Sequence, residues 1–169
     1  MTDLPTRALS LKQPWAWAVF GPPNKDVENR VWWSTLRGPI WIAASAQATR
    51  AYYEEAAEII ERVSGCKVPP LDSLPSGCIL GRATITDVAL PGGWRWARKY
   101  EKRVRPGFGY DPKPADERHP SEALRWHFDD QYGYFLADRV ALATPVPCKG
   151  LQRLWRVPAQ LLEKLKEAA

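Results

Sequence analysis

The chain has 169 residues, of which 45% are hydrophobic and 25% charged, and it carries a net charge of +5 with a sequence pI near 9.2. This composition is typical of a globular protein and excludes an intrinsically disordered chain. The length suits a single domain, residues 1–169, with a sizeable core. No stretch is long and apolar enough to cross a bilayer, so we expect no membrane association. The basic excess permits binding to a polyanion without requiring it.

The cysteines and the N-terminus indicate a reducing compartment. Cys66, Cys78 and Cys148 lack close pairing in sequence, and an odd number is a poor disulfide framework. Without a Cys-x-x-Cys pair, a zinc site completed by His119 or His127 is disfavoured. We therefore expect no metal and no cofactor. The N-terminal residues show no basic segment followed by an apolar core, so we expect no signal peptide and a cytoplasmic protein.

The first predicted elements are a short strand at residues 8–11 and a helix at residues 15–20. Pro14 fits the first turn of that helix and Gly21 its C-terminal cap. The helix is apolar on every side, which predicts that it is buried. Lys12 and Gln13 lie at the N-terminal end of this helix, where free backbone N–H groups can attract an anion.

Residues 26–33 follow a Gly-Pro-Pro-Asn turn and have a β-favouring composition, which predicts a strand. Side chains alternate along a strand, so Glu28 and Arg30 share one face, while Lys25 enters from the turn. Two cations that flank a carboxylate indicate either a binding site or a surface ion pair of little energetic value. The spacing alone favours neither alternative.

The rest of the chain alternates strand patterns with few helices. Ser45 is placed to cap a helix over residues 46–64, and Pro158 opens a last helix in which Leu161, Leu162 and Leu165 form an apolar stripe. Several strands with few helices between them predict an α+β fold built on a mixed sheet or a small closed barrel. The other predicted strands lie at residues 40–45, 78–88, 134–142 and 151–157.

Residues 91–130 lose strand character and predict a functional or mobile elaboration. Within them, residues 94–105 hold six cations and one carboxylate, interleaved with aromatic residues. That net charge of +5 equals the net charge of the whole chain, so the positive potential is concentrated in one stretch. Such a stretch predicts a groove that follows a phosphate backbone and stacks bases; the alternative is a solvated amphipathic helix. His119 and His127 fall outside this stretch and are interpreted as loop or surface residues.

Several motifs resemble those of one known family. Residues 9–16, Leu-Ser-Leu-Lys-Gln-Pro-Trp-Ala, resemble the opening of the ASCH domain family, which belongs to the PUA-like superfamily of small β-barrels. The spacing Lys25-x-x-Glu28-x-Arg30 resembles the family signature, and residues 37–45, 133–134 and 149–155 resemble later landmarks.

The resemblance implies a PUA-like barrel with helices around it and a cleft beside the N-terminal helix that meets RNA, DNA or a nucleoside. Some family members are ribonucleases, and others are amidohydrolases that remove the acetyl group from N4-acetylcytidine. The amidohydrolase pattern places a threonine nucleophile three residues after a lysine, whereas here Glu28 follows Lys25 at that spacing. The pattern therefore favours binding over that reaction.

The sequence thus predicts an RNA- or single-strand-binding domain. The alternative is a metal-independent ribonuclease or modified-nucleoside amidohydrolase in which Lys25 and Glu28 are catalytic. Trp15 and Trp32 are predicted to line the cleft, and Trp17, Trp41 and Trp155 to lie in the core. The residues predicted to contact nucleic acid are Lys12, Gln13, Trp15, Lys25, Glu28, Arg30, Ser45, Trp94, Arg95, Trp96, Arg98, Lys99, Lys102 and Arg103.

Overall fold

The structure is a computed structural model that describes residues 4–46, 48–91 and 125–169. Among these residues, six strands and three α-helices follow one another, with a single 3-10 turn at Leu71–Ser73. The strands are β1 (Arg7–Leu11), β2 (Val27–Arg30), β3 (Gly38–Ala44), β4 (Cys78–Ala89), β5 (Tyr132–Pro147) and β6 (Leu154–Arg156). The helices are α1 (Trp15–Phe20), α2 (Arg50–Ser64) and α3 (Ala159–Ala168).

The strands are ordered β2-β5-β4-β3-β1-β6 in one sheet. β1 pairs in parallel with β3 and antiparallel with β6, while β2 pairs antiparallel with β5. Parallel and antiparallel neighbours therefore occur together, which confirms the predicted α+β fold with a mixed sheet. None of the helices in the described ranges is long and apolar enough to cross a membrane.

The described residues fall into two compact units. Unit 1 contains residues 4–25, 38–46, 48–84 and 137–169, and unit 2 contains residues 26–37, 85–91 and 125–136. β4 and β5 each contribute one part to each unit. That residues 1–169 form a single domain stays a prediction.

The core of unit 1 lies between the sheet and α3. Its buried members include Trp41, Ile79 and Trp155, and Leu165 of α3 is fully buried against them. Leu161 and Leu162 pack partly buried beside Leu165, which confirms the apolar stripe predicted for the last helix. Trp41 and Trp155 are core residues, as predicted.

Two details of unit 1 differ from the sequence prediction. Trp17 is only partly buried, because α1 turns Ala16, Ala18 and Val19 inward instead. The prediction that Trp17 lies in the core is therefore wrong, although no residue of α1 is exposed.

The predicted cap of α2 is also wrong. α2 begins at Arg50, and the hydroxyl of Thr49 caps it by accepting a hydrogen bond from the Tyr52 N–H at 3.3 Å. The Ser45 hydroxyl instead donates to the Leu11 carbonyl at 3.2 Å, so it supports the pairing of β1 with β3.

Unit 2 is built on the pairing of β2 with β5. Val27 lies opposite Phe135 and Arg30 opposite Tyr132, where β5 begins. β2 has no partner beyond Arg30 because β5 does not extend past Tyr132 in that direction. The prediction that the strand over residues 26–33 continues to residue 33 is therefore wrong. Beyond the ladder Val31 is 79% exposed and Trp33 42% exposed.

Candidate functional site

The N-terminal end of α1 is closed by the chain itself. The Trp17 N–H donates to Oε1 of Gln13 at 3.0 Å, and the Ala16 N–H donates to the Lys12 carbonyl at 3.3 Å. Gln13 is 2% exposed, and its Nε2 donates to the Pro75 carbonyl at 2.7 Å. These N–H groups are already hydrogen-bonded, so the prediction that they attract an anion is wrong. Gln13 instead ties α1 to a distant loop of unit 1.

A buried cation lies against α1. Lys25 is 1% exposed, and its Nζ lies 5.4 Å from the ring centroid of Trp15, the first residue of α1. Its backbone N–H donates to the Ala18 carbonyl at 2.8 Å, which fixes the chain where it leaves the turn after α1. An ammonium over an indole face is attracted by the ring quadrupole, and the attraction grows when water is excluded. Because Trp15 is only partly buried, this cation supports an aromatic ring that reaches solvent.

A second cation–aromatic pair lies before α1. The exposed side chain of Lys12 places its Nζ 4.7 Å from the ring centroid of Tyr52 in the first turn of α2. Sequence reasoning did not connect Tyr52 with Lys12, because the two residues lie 40 positions apart. Unit 1 thus presents two aromatic rings, each with a lysine against it.

In unit 2, Glu28 and Arg30 form an ion pair. Nη2 of Arg30 lies 3.1 Å from Oε1 of Glu28, which is 7% exposed as a whole residue. The Arg30 guanidinium also lies 5.9 Å from the ring centroid of Trp32. The pair is therefore shielded rather than fully solvent-exposed, and removing one partner would leave the other charge poorly solvated.

Tyr134 lies directly opposite Glu28 on β5 and is fully buried. Its hydroxyl donates to the Trp32 carbonyl at 2.9 Å, and the two rings pack with centroids 5.4 Å apart. Burial raises the pKa of Tyr134 well above its usual value, while the Arg37 and Arg30 guanidiniums oppose that shift. The phenol is therefore a neutral hydrogen-bond donor that fixes the backbone just after β2.

Asn29 connects β2 to the segment that precedes β5. Its Nδ2 donates to the Trp126 carbonyl at 2.6 Å, and its Oδ1 accepts from the Phe128 N–H at 2.8 Å. Sequence reasoning missed this role. The signal was the residue type, because asparagine is uncommon inside strands and needs partners for its amide.

The remaining sequence predictions concern the two histidines, the basic stretch 94–105 and a metal site. His127 lies before β5, with its Nε2 2.8 Å from the Gln131 carbonyl. The basic stretch 94–105 and His119 lie outside the described residues. In the described ranges no cluster of three or more His, Cys, Asp or Glu side chains could hold a metal ion.

Comparison with known proteins agrees with the motifs. The chain is 35% identical over 162 residues to human activating signal cointegrator 1 and 24% identical to the mouse protein of that name; in each case the match includes 94% of this chain. It spans only 23% of the length of these relatives. The crystal structure of ASCH from Zymomonas mobilis matches 95% of this chain and 93% of its own, with 16% identity and a TM-score of 0.46. The family model of the ASCH domain matches residues 9–137, and the chain therefore belongs to the ASCH domain family.

Proposed function

We propose that this ASCH domain binds single-stranded nucleic acid, with RNA as its main ligand. The observation that carries the proposal is the partly exposed ring of Trp15 with the buried ammonium of Lys25 against it. Every base has a flat π-face, so an aromatic ring fixed at a surface can stack an unpaired base whatever its identity. A duplex keeps its bases stacked inside, which is why the single strand is the better ligand.

The two lysines that lie against aromatic rings in unit 1 have different roles in this proposal. Lys12 is exposed beside Tyr52 and is suited to contact a phosphate through solvent. Lys25 is 1% exposed, so its role is to hold Trp15 in place through the cation–π contact.

In unit 2, the guanidinium of Arg30 is the candidate for a phosphate or base contact, and Glu28 orients it. We propose that the basic aromatic stretch 94–105 makes further phosphate contacts. Phosphate contacts from several parts of the chain agree with its net positive charge.

The enzymatic alternative receives less support from the same residues. Glu28 occupies the position of the threonine nucleophile in the amidohydrolase pattern, and its Oε1 lies 3.1 Å from a guanidinium. A general base needs an oxygen within reach of the proton it removes, and this oxygen is already in contact with a guanidinium. The arrangement therefore favours a binding residue over a general base.

Binding is tested by titrating a fluorescein-labelled 12-nucleotide RNA, the matching DNA strand and the RNA duplex at several salt concentrations. We expect the single strands to bind, the duplex to bind more weakly, and the affinity to fall steeply as salt rises. Affinity independent of salt, or no affinity for either single strand, would contradict the proposal.

Catalysis is tested by incubating the protein with labelled RNA and with N4-acetylcytidine. The Glu28→Gln and Lys25→Ala variants are run in parallel. Binding without turnover is the expected result. Turnover by the wild type that both variants lose would replace the binding proposal with the enzymatic one.

A further inference from the structure

Two arginines face each other across the β1–β6 pairing of unit 1. Arg7 is the direct partner of Arg156, and the next pair along the strands is Ala8 with Trp155. The Val157 N–H donates to the Thr6 carbonyl at 2.9 Å, so the register continues past the arginines. Residues directly opposite in an antiparallel pair have Cβ atoms about 4.5–5.5 Å apart and project from the same face. The two guanidiniums therefore extend from neighbouring positions.

The two arginine side chains point away from the unit 1 core. Ala8 is fully buried and Trp155 is 5% exposed, both within the cluster that packs against α3. Side chains alternate between the faces of a strand, so Arg7 and Arg156 project from the opposite face, and both are exposed. In the described part of the chain neither arginine side chain has a hydrogen bond, an ion pair or a ring contact.

Like charges directly opposite each other destabilise an antiparallel pair. The cost disappears when an anion lies between the guanidiniums, because each presents a planar set of donors that matches a phosphate. We propose that Arg7 and Arg156 form a phosphate-binding pair that contacts the backbone of the bound single strand. This inference rests on the proposed function and adds to it a contact formed by β1 and β6. An acidic peptide is the less favoured ligand, because the proposed function already brings a phosphate backbone to this domain.

The test compares the salt dependence of binding between the wild type and the Arg7→Gln/Arg156→Gln double variant, with the labelled 12-nucleotide RNA as the probe. Each phosphate contact on a single strand contributes about 0.7 to the slope of log affinity against log salt. One phosphate held between the two guanidiniums is one such contact, so the double variant should have a slope shallower by about 0.7. The matched control is Arg62→Gln/Lys67→Gln, which removes two exposed cations from the end of α2 and the loop after it. The control should keep the wild-type slope to within about 0.3, less than half of one phosphate contact.

A second variant separates binding from folding. Arg156→Glu replaces the repulsion with an ion pair, so we expect a higher melting temperature together with weaker RNA binding. Opposite changes in stability and affinity cannot arise from misfolding.

The outcomes distinguish this inference from the proposed function. If the wild type binds RNA with a steep salt dependence but the double variant keeps the same slope, the arginine pair is wrong and the proposed function stands. If the wild type binds no single strand, both are wrong. If a labelled deca-aspartate peptide binds through these arginines while the RNA slope is unchanged, the partner is an acidic protein and the inference is overturned.

Discussion

Asn29→Ala is the most informative change to the stability of unit 2. The side chain joins β2 to residues 126 and 128 through two hydrogen bonds of 2.6 and 2.8 Å. Alanine removes both bonds, and it leaves the Trp126 carbonyl and the Phe128 N–H without their partner. The neighbouring Trp126 side chain is fully buried, so water has poor access to its backbone.

The magnitude follows from these two bonds. A typical hydrogen bond contributes about 1 kcal/mol net, and a shielded group left without a partner costs about 1–3 kcal/mol. We therefore expect Asn29→Ala to lower the free energy of unfolding by about 2–4 kcal/mol. A chain of this size loses about 2–4 °C of melting temperature per kcal/mol, so the change is readily measured.

The assay is urea denaturation followed by tryptophan fluorescence, with Thr86→Ala as the control. Thr86 also bonds a backbone carbonyl of unit 2, that of Phe135, but it is exposed and its bond is 3.5 Å long. The control should lose less than about 0.5 kcal/mol. Equal losses in the two variants would refute the reasoning that Asn29 holds the segment before β5 to β2.

Three further predictions use other contacts. Gly81→Ala should destabilise by about 1–3 kcal/mol, because a Cβ there would lie 2.7 Å from the Phe20 ring and closer still to a strand carbonyl; differential scanning calorimetry measures the loss. Burial raises the pKa of Tyr134, so stability should be full below about pH 10 and fall above it as the unfolded chain ionises first. Urea denaturation across this range should show a smaller fall for Tyr134→Phe. Burial raises the pKa of Cys148 to about 11, so iodoacetamide at pH 8 should modify it more slowly than Cys66, as followed by mass spectrometry.

For these three predictions, the contradicting results are equally specific. An alanine at position 81 that leaves the melting temperature unchanged would mean that the strands separate easily there. A pH profile identical in wild type and Tyr134→Phe would remove Tyr134 as the source of the alkaline loss. Rapid modification of Cys148 at pH 8 would show an accessible thiolate.

Local sequence patterns correctly predicted those helices and strands that depend mainly on their own residues. The last helix begins after Pro158 and buries Leu165, as its apolar stripe predicts. Residues 7–11 form a strand close to the predicted bounds. The signature around Glu28 likewise identified the family before any geometry was known.

The wrong predictions depend on contacts between distant residues. β2 ends at Arg30 because β5 begins opposite it, more than 100 residues later in the chain. The start of α1 is closed because the Gln13 side chain accepts a hydrogen bond from the Trp17 N–H and donates one to the Pro75 carbonyl. Propensity and spacing describe neighbours in sequence, so they contain no information on these partners.

The sequence also did not predict that Lys25 and Glu28 are buried. The spacing of Lys25, Glu28 and Arg30 suits a surface strand as well as a shielded one. In the structure Lys25 is 1% and Glu28 7% exposed, because each lies against an aromatic side chain or an ion-pair partner. Those neighbours are the reason why we propose that Lys25 supports Trp15.

The most direct test of the central claim is the RNA affinity of Trp15→Leu beside that of Trp17→Leu. Both tryptophans are partly buried in α1, but the Lys25 ammonium lies against Trp15. A stacked base contributes about 1–3 kcal/mol, so Trp15→Leu should weaken binding of the 12-nucleotide RNA by about 5- to 150-fold, while Trp17→Leu stays within about twofold of the wild type. Equal affinities for wild type and Trp15→Leu, with both proteins folded by circular dichroism, would contradict the account.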